Sequence, residues 1–241
     1  MLLAQVNRAL AIGGAITLAA GCAPSGTNSA GAESASAGAP RAAAPAALTA
    51  AQDSNITIAD LARTDGSATA PVWVIVVSDF QCPYCKQWHD ATYPALHHEF
   101  VRTGKVRVAY VNYPLGMHAQ AWPSAEAAMC AGAQGKFWRM HDAIFDTQEK
   151  WASSRAPAAI FDSLARTAGV DMRRWSQCVS SGLTKPLIQA DQQRATSAGV
   201  RSTPTILIGN EMLAGAHPIE SIRRAIDSAL VKTRRPDTSR E

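Results

Sequence analysis

The run Val-Trp-Val-Ile-Val-Val-Ser-Asp-Phe-Gln-Cys-Pro-Tyr-Cys, from Val72 to Cys85, constrains this chain more than any other segment. Its apolar, β-branched start does not alternate, so it predicts a strand over 72–78 buried on both faces. Pro83 suits a first helical position, which places Cys82 at a helix N-terminus. Unpaired backbone N–H groups and the positive end of the helix dipole stabilise a thiolate there, drawing a thiol from about 8.5 to roughly 3.5–7.5. The thiolate is the species that attacks disulfides, and Cys85, one turn later, can resolve the mixed disulfide. The segment predicts thiol–disulfide exchange, a chemistry that calls for no cofactor.

Two plainer readings of the same residues exist. Cys82 and Cys85, with His89 on the same helical face, form part of a zinc ligand set. A structural zinc needs four ligands, usually from a second paired cluster, and the sequence holds no further Cys-x-x-Cys or His-x-x-x-His. The reading is therefore of no metal. A purely structural Cys82–Cys85 bridge would close too short a loop to stabilise much.

The N-terminus reads as an export signal over 1–22. Arg8 precedes an apolar core, Ala9 to Ala20, shorter than the ~20 residues a bilayer span requires. It ends Leu18-Ala-Ala-Gly-Cys22, which resembles a bacterial lipobox with Cys22 as the acylated residue, although Ala19 stands where that pattern usually has leucine. An ordinary secreted or periplasmic protein is the alternative, and both place the domain outside the cytoplasm, in the cell envelope. Cysteine parity agrees. Of five cysteines, lipidation removes Cys22 and leaves four, which can pair as Cys82–Cys85 and a structural Cys130–Cys178 bridge. Closing that longer loop contributes about 4 kcal/mol in the chain-entropy model.

Residues 23–53, nearly all Ala, Ser, Gly, Pro and Thr, read as a flexible tether too poor in large apolar groups to fold. The expected domain spans 54–232, followed by a disordered tail over 233–241. Ile56-Thr-Ile58 reads as a first short strand, with a turn at Asp65-Gly66. After strand 72–78 come a helix from Pro83 to about Arg102 and a strand from Val106 to Val111. A helical block follows, broken at Gly135, Ala156-Pro157, Gly169 and Gly182. Strands at 205–208 and 211–213 and a helix from about Pro218 to Val231 close the chain. The early β-α-β implies a parallel pair with a right-handed crossover, and the final hairpin an antiparallel one. The expectation is a thioredoxin-like α/β fold with a mixed central sheet and a helical insertion over about 115–200.

The formal charge of +4 is modest and dispersed, and Arg223, Arg224, Lys232, Arg234 and Arg235 read as a solvated last helix and tail rather than a nucleic-acid surface. Thr203-Pro204 stands just before strand 205–208, where a proline costs no ladder donor and a cis bond would expose the preceding backbone groups.

Taken with Cys82-Pro83-Tyr84-Cys85, that proline carries a family resemblance. Ser78 to Cys85, Tyr113-Pro-Leu115 with His118, Cys130 to Trp138 with His141-Asp142, Gly199 to Thr205 and Gly215-Ala-His-Pro218 resemble the DsbA-like thiol:disulfide oxidoreductases. The resemblance covers residues 54–232. It implies a nucleophilic Cys82, a resolving Cys85, a cis-proline loop at Thr203-Pro204 that meets clients, and a membrane quinone-linked partner. The expected clients are reduced or misoxidised exported proteins; the alternatives are a reductase or isomerase using the same site, or a non-catalytic module that binds peptides or metal through the same groove. Glutaredoxins share the tetrapeptide but lack the insertion. In one respect the chain departs from the pattern. Many relatives carry an acidic residue six positions before the first cysteine to move a proton for the second, and here that residue is Val76. Either water or another group performs the transfer, or the exchange is slower in one direction; the nearest carboxylate in sequence is Asp79. His141 reads as packing within the helical block.

Overall fold

The computed structural model describes residues 50–234, so the signal-like segment, Cys22 and most of the tether lie outside the described residues. Five strands form one sheet in the order β1 (Thr64–Asp65), β3 (Val106–Asn112), β2 (Val72–Ser78), β4 (Thr205–Ile208) and β5 (Glu211–Ala214). β2 runs parallel to β3 and antiparallel to β4, with Val77 opposite Val111 on one side and Thr205 on the other. A strand paired on both edges and covered on both faces has no polar side to show, which is why 72–78 lacks alternation. The sheet is mixed and thioredoxin-like, as the order of elements implies.

One face of the sheet, carrying Val72, Val74, Val76, Val106, Val108, Ile206 and Ile208, packs on Trp88, Leu96 and Phe100 and on Ile222 and Ile226 of α10 (Ile219–Arg234). Six helices enter between β3 and β4: α4 (Ala121–Gly132), α5 (Phe137–Asp146), α6 (Gln148–Ala152), α7 (Pro157–Ala168), α8 (Met172–Ser181) and α9 (Lys185–Ser197). Their core holds Met129, Met140, Ile144, Trp151, Phe161 and Ile188, all buried. Gly169 and Gly182 end α7 and α8 in the left-handed conformation that a Cβ disfavours. Cys130 of α4 and Cys178 of α8 are joined by a disulfide, with Cα atoms 5.7 Å apart.

Four expectations need correction. Residues 56–58 are not a strand; they lie within α1 (Ala50–Ala62). The β-branched Ile-Thr-Ile favours extended backbone, but one face of this helix carries Ala59, wholly buried against α4. Arg63, just past its end, is buried in ion pairs with Asp60 and with Asp191 of α9 and donates to the Tyr110 carbonyl of β3 at 3.2 Å. Packing and these pairs override local propensity. Ala50–Asp53, read as part of the tether, is the first turn of α1, because Ala-Ala-Gln-Asp favours the helix that α4 supports. At the other end α10 runs to Arg234, beyond the expected tail boundary.

The helix expected over 83–102 is three pieces: α2 (Pro83–Ala91), α3 (Tyr93–Leu96) and a π-helical turn, His97–Val101. Pro94 cannot donate a backbone hydrogen bond, and Thr92 takes the break, its hydroxyl donating instead to the His217 carbonyl at 3.0 Å. Asp65-Gly66 is the turn expected. Gly66 has φ +104°, and a Cβ there would sit 2.6 Å from the Val106 carbonyl oxygen.

Candidate active site

Cys82 caps the N-terminus of α2 with extended backbone (φ −69°, ψ 124°), and Pro83 occupies the first turn. The N–H groups of Cys85 and Lys86 both donate to the Cys82 carbonyl at 3.1 Å. This leaves the first-turn N–H dipoles aimed at the Cys82 side chain. Tyr84 is exposed, whereas Cys82 and Cys85 are buried free thiols in this structure.

The bond between Thr203 and Pro204 is cis. Pro204 directly precedes the β2–β4 ladder, which starts at Thr205, and its carbonyl accepts from Gly215 N–H at 2.7 Å. The Cys82 thiol donates to the Thr203 carbonyl at 3.5 Å, so the loop lies against the first cysteine. The Thr203 hydroxyl is buried beside it and bonds to no neighbour in the thiol form.

The two thiols differ in acidity. Hydrogen bonding from the Cys85 thiol lowers Cys82 from 9.0 to about 6; burial opposes this, and Thr203 and the N–H groups of Cys85 and Tyr84 reinforce it. Burial pushes Cys85 well above the ordinary value, and its bond to Cys82 pushes in the same direction. In the reduced pair, one sulfur is an accessible-pH thiolate and its neighbour a protonated donor.

Side chains beyond the cysteine tetrapeptide and the cis-proline loop hold this site. Asp79, buried at the end of β2, accepts from Gln81 N–H at 2.8 Å and Leu115 N–H at 2.9 Å and pairs with His118 Nδ1 at 2.7 Å. Its own N–H donates to Cys85 Sγ at 3.5 Å. Gln148 of α6 donates its amide to the carbonyls of Phe80 (2.6 Å) and Cys82 (3.0 Å), clasping the helical insertion to the loop before α2. No local signal marks Gln148, which is 66 residues from Cys82. His141 is buried edge-on to Phe80 and Tyr110, at ring distances of 5.6 and 5.0 Å. His89 turns toward Asp142 of α5, and neither group of three metal-capable side chains among the described residues includes Cys82 or Cys85.

The Thioredoxin family model matches residues 60–228. The chain is 27% identical over 171 residues to the probable disulfide bond formation protein D of Bacillus cereus, covering 69% of this chain and 78% of that protein. It is also 32% identical over 184 residues to the Na(+)/H(+) antiporter NhaA 3 of Salinispora tropica, but it spans only 27% of that protein. Crystalline α-DsbA1 from Wolbachia pipientis superposes with a TM-score of 0.63 at 16% identity, covering 71% of this chain and 92% of that one. A cysteine pair at a helix start, facing a cis-proline loop in a thioredoxin sheet that carries a helical insertion, fits these likenesses, and the chain belongs to the thioredoxin family as a DsbA-like thiol:disulfide oxidoreductase.

Proposed function

We propose that this oxidoreductase works as a thiol oxidant for exported proteins, with Cys82 as the nucleophilic centre and Cys85 as its resolving partner. The observation that carries the reading is the position of Cys82 at the start of α2, 3.5 Å from the Thr203 carbonyl of the cis-proline loop, which goes with a pKa lowered to about 6 beside a raised Cys85. A client thiolate attacks Cys82 Sγ of the bridged form, and the Cys82–Cys85 bond breaks as Cys85 leaves. Burial makes a Cys85 thiolate costly, so it takes up a proton. Val76 offers none; the ionisable group whose backbone already touches Cys85 is Asp79, paired with His118. The client's second thiolate then attacks its own sulfur in the mixed disulfide and releases Cys82. Two electrons pass from client to enzyme; Cys85 takes up one proton, and the other goes to solvent because Cys82 is released as a thiolate. Cys82 leaves readily because α2 stabilises its thiolate, and the same stabilisation favours the reduced enzyme, making the bridge oxidising.

Thr203 and Pro204 supply the edge that an extended client segment meets, while the exposed Tyr84 and Pro83 set the surface beside Cys82. A membrane quinone-linked partner would reoxidise the pair, and acylation at Cys22 would hold the domain at the cell envelope through residues 23–49. No described helix is long and apolar enough to cross a membrane. The test is the Cys82–Cys85 potential at equilibrium with glutathione. A value near that of strong oxidants, about −120 mV, supports donation of disulfides; one near −270 mV, with rapid insulin reduction, assigns the chain to reductive work.

A further inference from the structure

We propose that His89, His141 and Asp142 form a binding site for a divalent transition metal of the zinc class, in the seam between α2 and α5. His89 Nε2 lies 3.4 Å from Asp142 Oδ1, and His141 Nδ1 lies 2.8 Å from the same oxygen. One ligand atom from each residue falls within 4.8 Å of the others. A tetrahedral ion with bonds of about 2.0–2.1 Å holds its ligands roughly 3.3 Å apart, a spacing these distances bracket. Small side-chain shifts would convert the present hydrogen bonds into metal bonds.

A second, independent feature supports the assignment. The other ring nitrogen of His89, Nδ1, lies 3.0 Å from Asp90 Oδ1, and Lys86 holds the opposite oxygen of that carboxylate at 2.7 Å. With Nδ1 held by the Asp90 carboxylate, His89 can release the Nε2 proton it shares with Asp142 and offer that nitrogen to a metal, the arrangement that orients metal-bound histidines. His141 is buried and fixed among Phe80, Tyr110 and Phe145, which holds its ring in place. Two imidazoles and one carboxylate suit zinc, copper or nickel rather than calcium or magnesium. Asp142 is exposed, so a fourth position opens to solvent. Asp146 forms a competing group with His89 and Asp90. The metal would tie the helix carrying Cys82 and Cys85 to the helical insertion, one turn beyond Cys85.

The test uses the untagged full chain, oxidised so that both cysteine pairs are bridged and alkylated at Cys22, which removes thiolates as competing ligands. Zn²⁺ is titrated by calorimetry and Co²⁺ by its visible bands. One equivalent per chain is expected, with no sulfur-to-cobalt charge-transfer band. His89→Ala and Asp142→Ala should each weaken binding at least about tenfold. Zn²⁺ should raise the melting temperature of the parent and not of the variants. Should a variant fail to fold, histidine ring-nitrogen NMR of the parent decides, because both His89 and His141 must shift on adding Zn²⁺. Absence of stoichiometric binding, equal binding by the variants, unshifted rings, or loss of binding only with Asp146→Asn would overturn the assignment.

Discussion

Cys82 and Cys85 sit two residues apart at the start of α2, facing the Thr203–Pro204 loop, whereas Cys130 and Cys178 join α4 to α8 across 48 residues of sequence. The surroundings differ as much as the spacing. First-turn N–H groups, a neighbouring thiol and the Thr203 hydroxyl all gather on Cys82 and stabilise its charge. Cys130 lies among apolar residues of the insertion, where burial would raise a thiol and slow exchange. Two residues of spacing close almost no loop, so the first pair exchanges cheaply; a long loop makes the second a brace. Reactivity in this chain follows from what surrounds each sulfur.

The sharpest way to break that contrast is to exchange the roles of the pairs by mutation. Cys82→Ser should reduce insulin-disulfide exchange to the uncatalysed background, while Cys85→Ser should accumulate mixed disulfides visible on non-reducing gels. Removing both Cys130 and Cys178 should leave exchange largely intact. Exchange surviving in Cys82→Ser would end the assignment of the nucleophile.

Stability should respond in the opposite sense. The Cys130→Ser/Cys178→Ser double variant should lose about 4 kcal/mol, less any strain released, a fall of roughly 8–16 °C in melting temperature. Calorimetry that finds a larger loss on reducing Cys82–Cys85 than on deleting the second bridge would reverse the comparison.

The pH dependence sharpens it further. Cys82 titrates at about 6 when folded against 9.0 for an ordinary thiol. Its folded value is depressed, so Cys82 contributes stability to the reduced protein that grows up to 9.0 and is lost as pH falls through about 6, while the raised Cys85 works the other way above 9.0. Alkylation rate at Cys82 should show the same midpoint. A midpoint near 9 would remove the physical basis for an oxidising pair. The smallest expected effect comes from Thr203→Val, which keeps shape and deletes the hydroxyl beside Cys82. It should raise the midpoint by up to about one unit, as loss of one hydrogen bond to a charged sulfur would.

Much of this architecture was legible because its signals are local. The unalternating apolar run of β2, Pro83 after Cys82 and the glycines ending α7 and α8 each act over a few residues. Ile56-Thr-Ile58 misled because its propensity is local while the forces on it are distant: Ala59 packs on α4, and Arg63 pairs with Asp191, 128 residues away. Within the site, the cysteine tetrapeptide and Pro204 stood out. Gln148, the Asp79–His118 pair and the His89–Asp142 approach could not, since folding alone brings α2, α5, α6 and the 113–120 loop together.

The pairing of β4 with β2 also bears on how the molecule is made. Cys82 and Thr203 are 121 residues apart, and the whole insertion lies between them. Such a non-local pairing is slow to form, because a long loop must close before any contact rewards it. During synthesis Cys82 leaves the ribosome long before β4 exists. Until β4 docks, Cys82 lacks the contribution of Thr203 to its thiolate. The full set of groups that stabilise the Cys82 thiolate is therefore assembled only when the fold is complete.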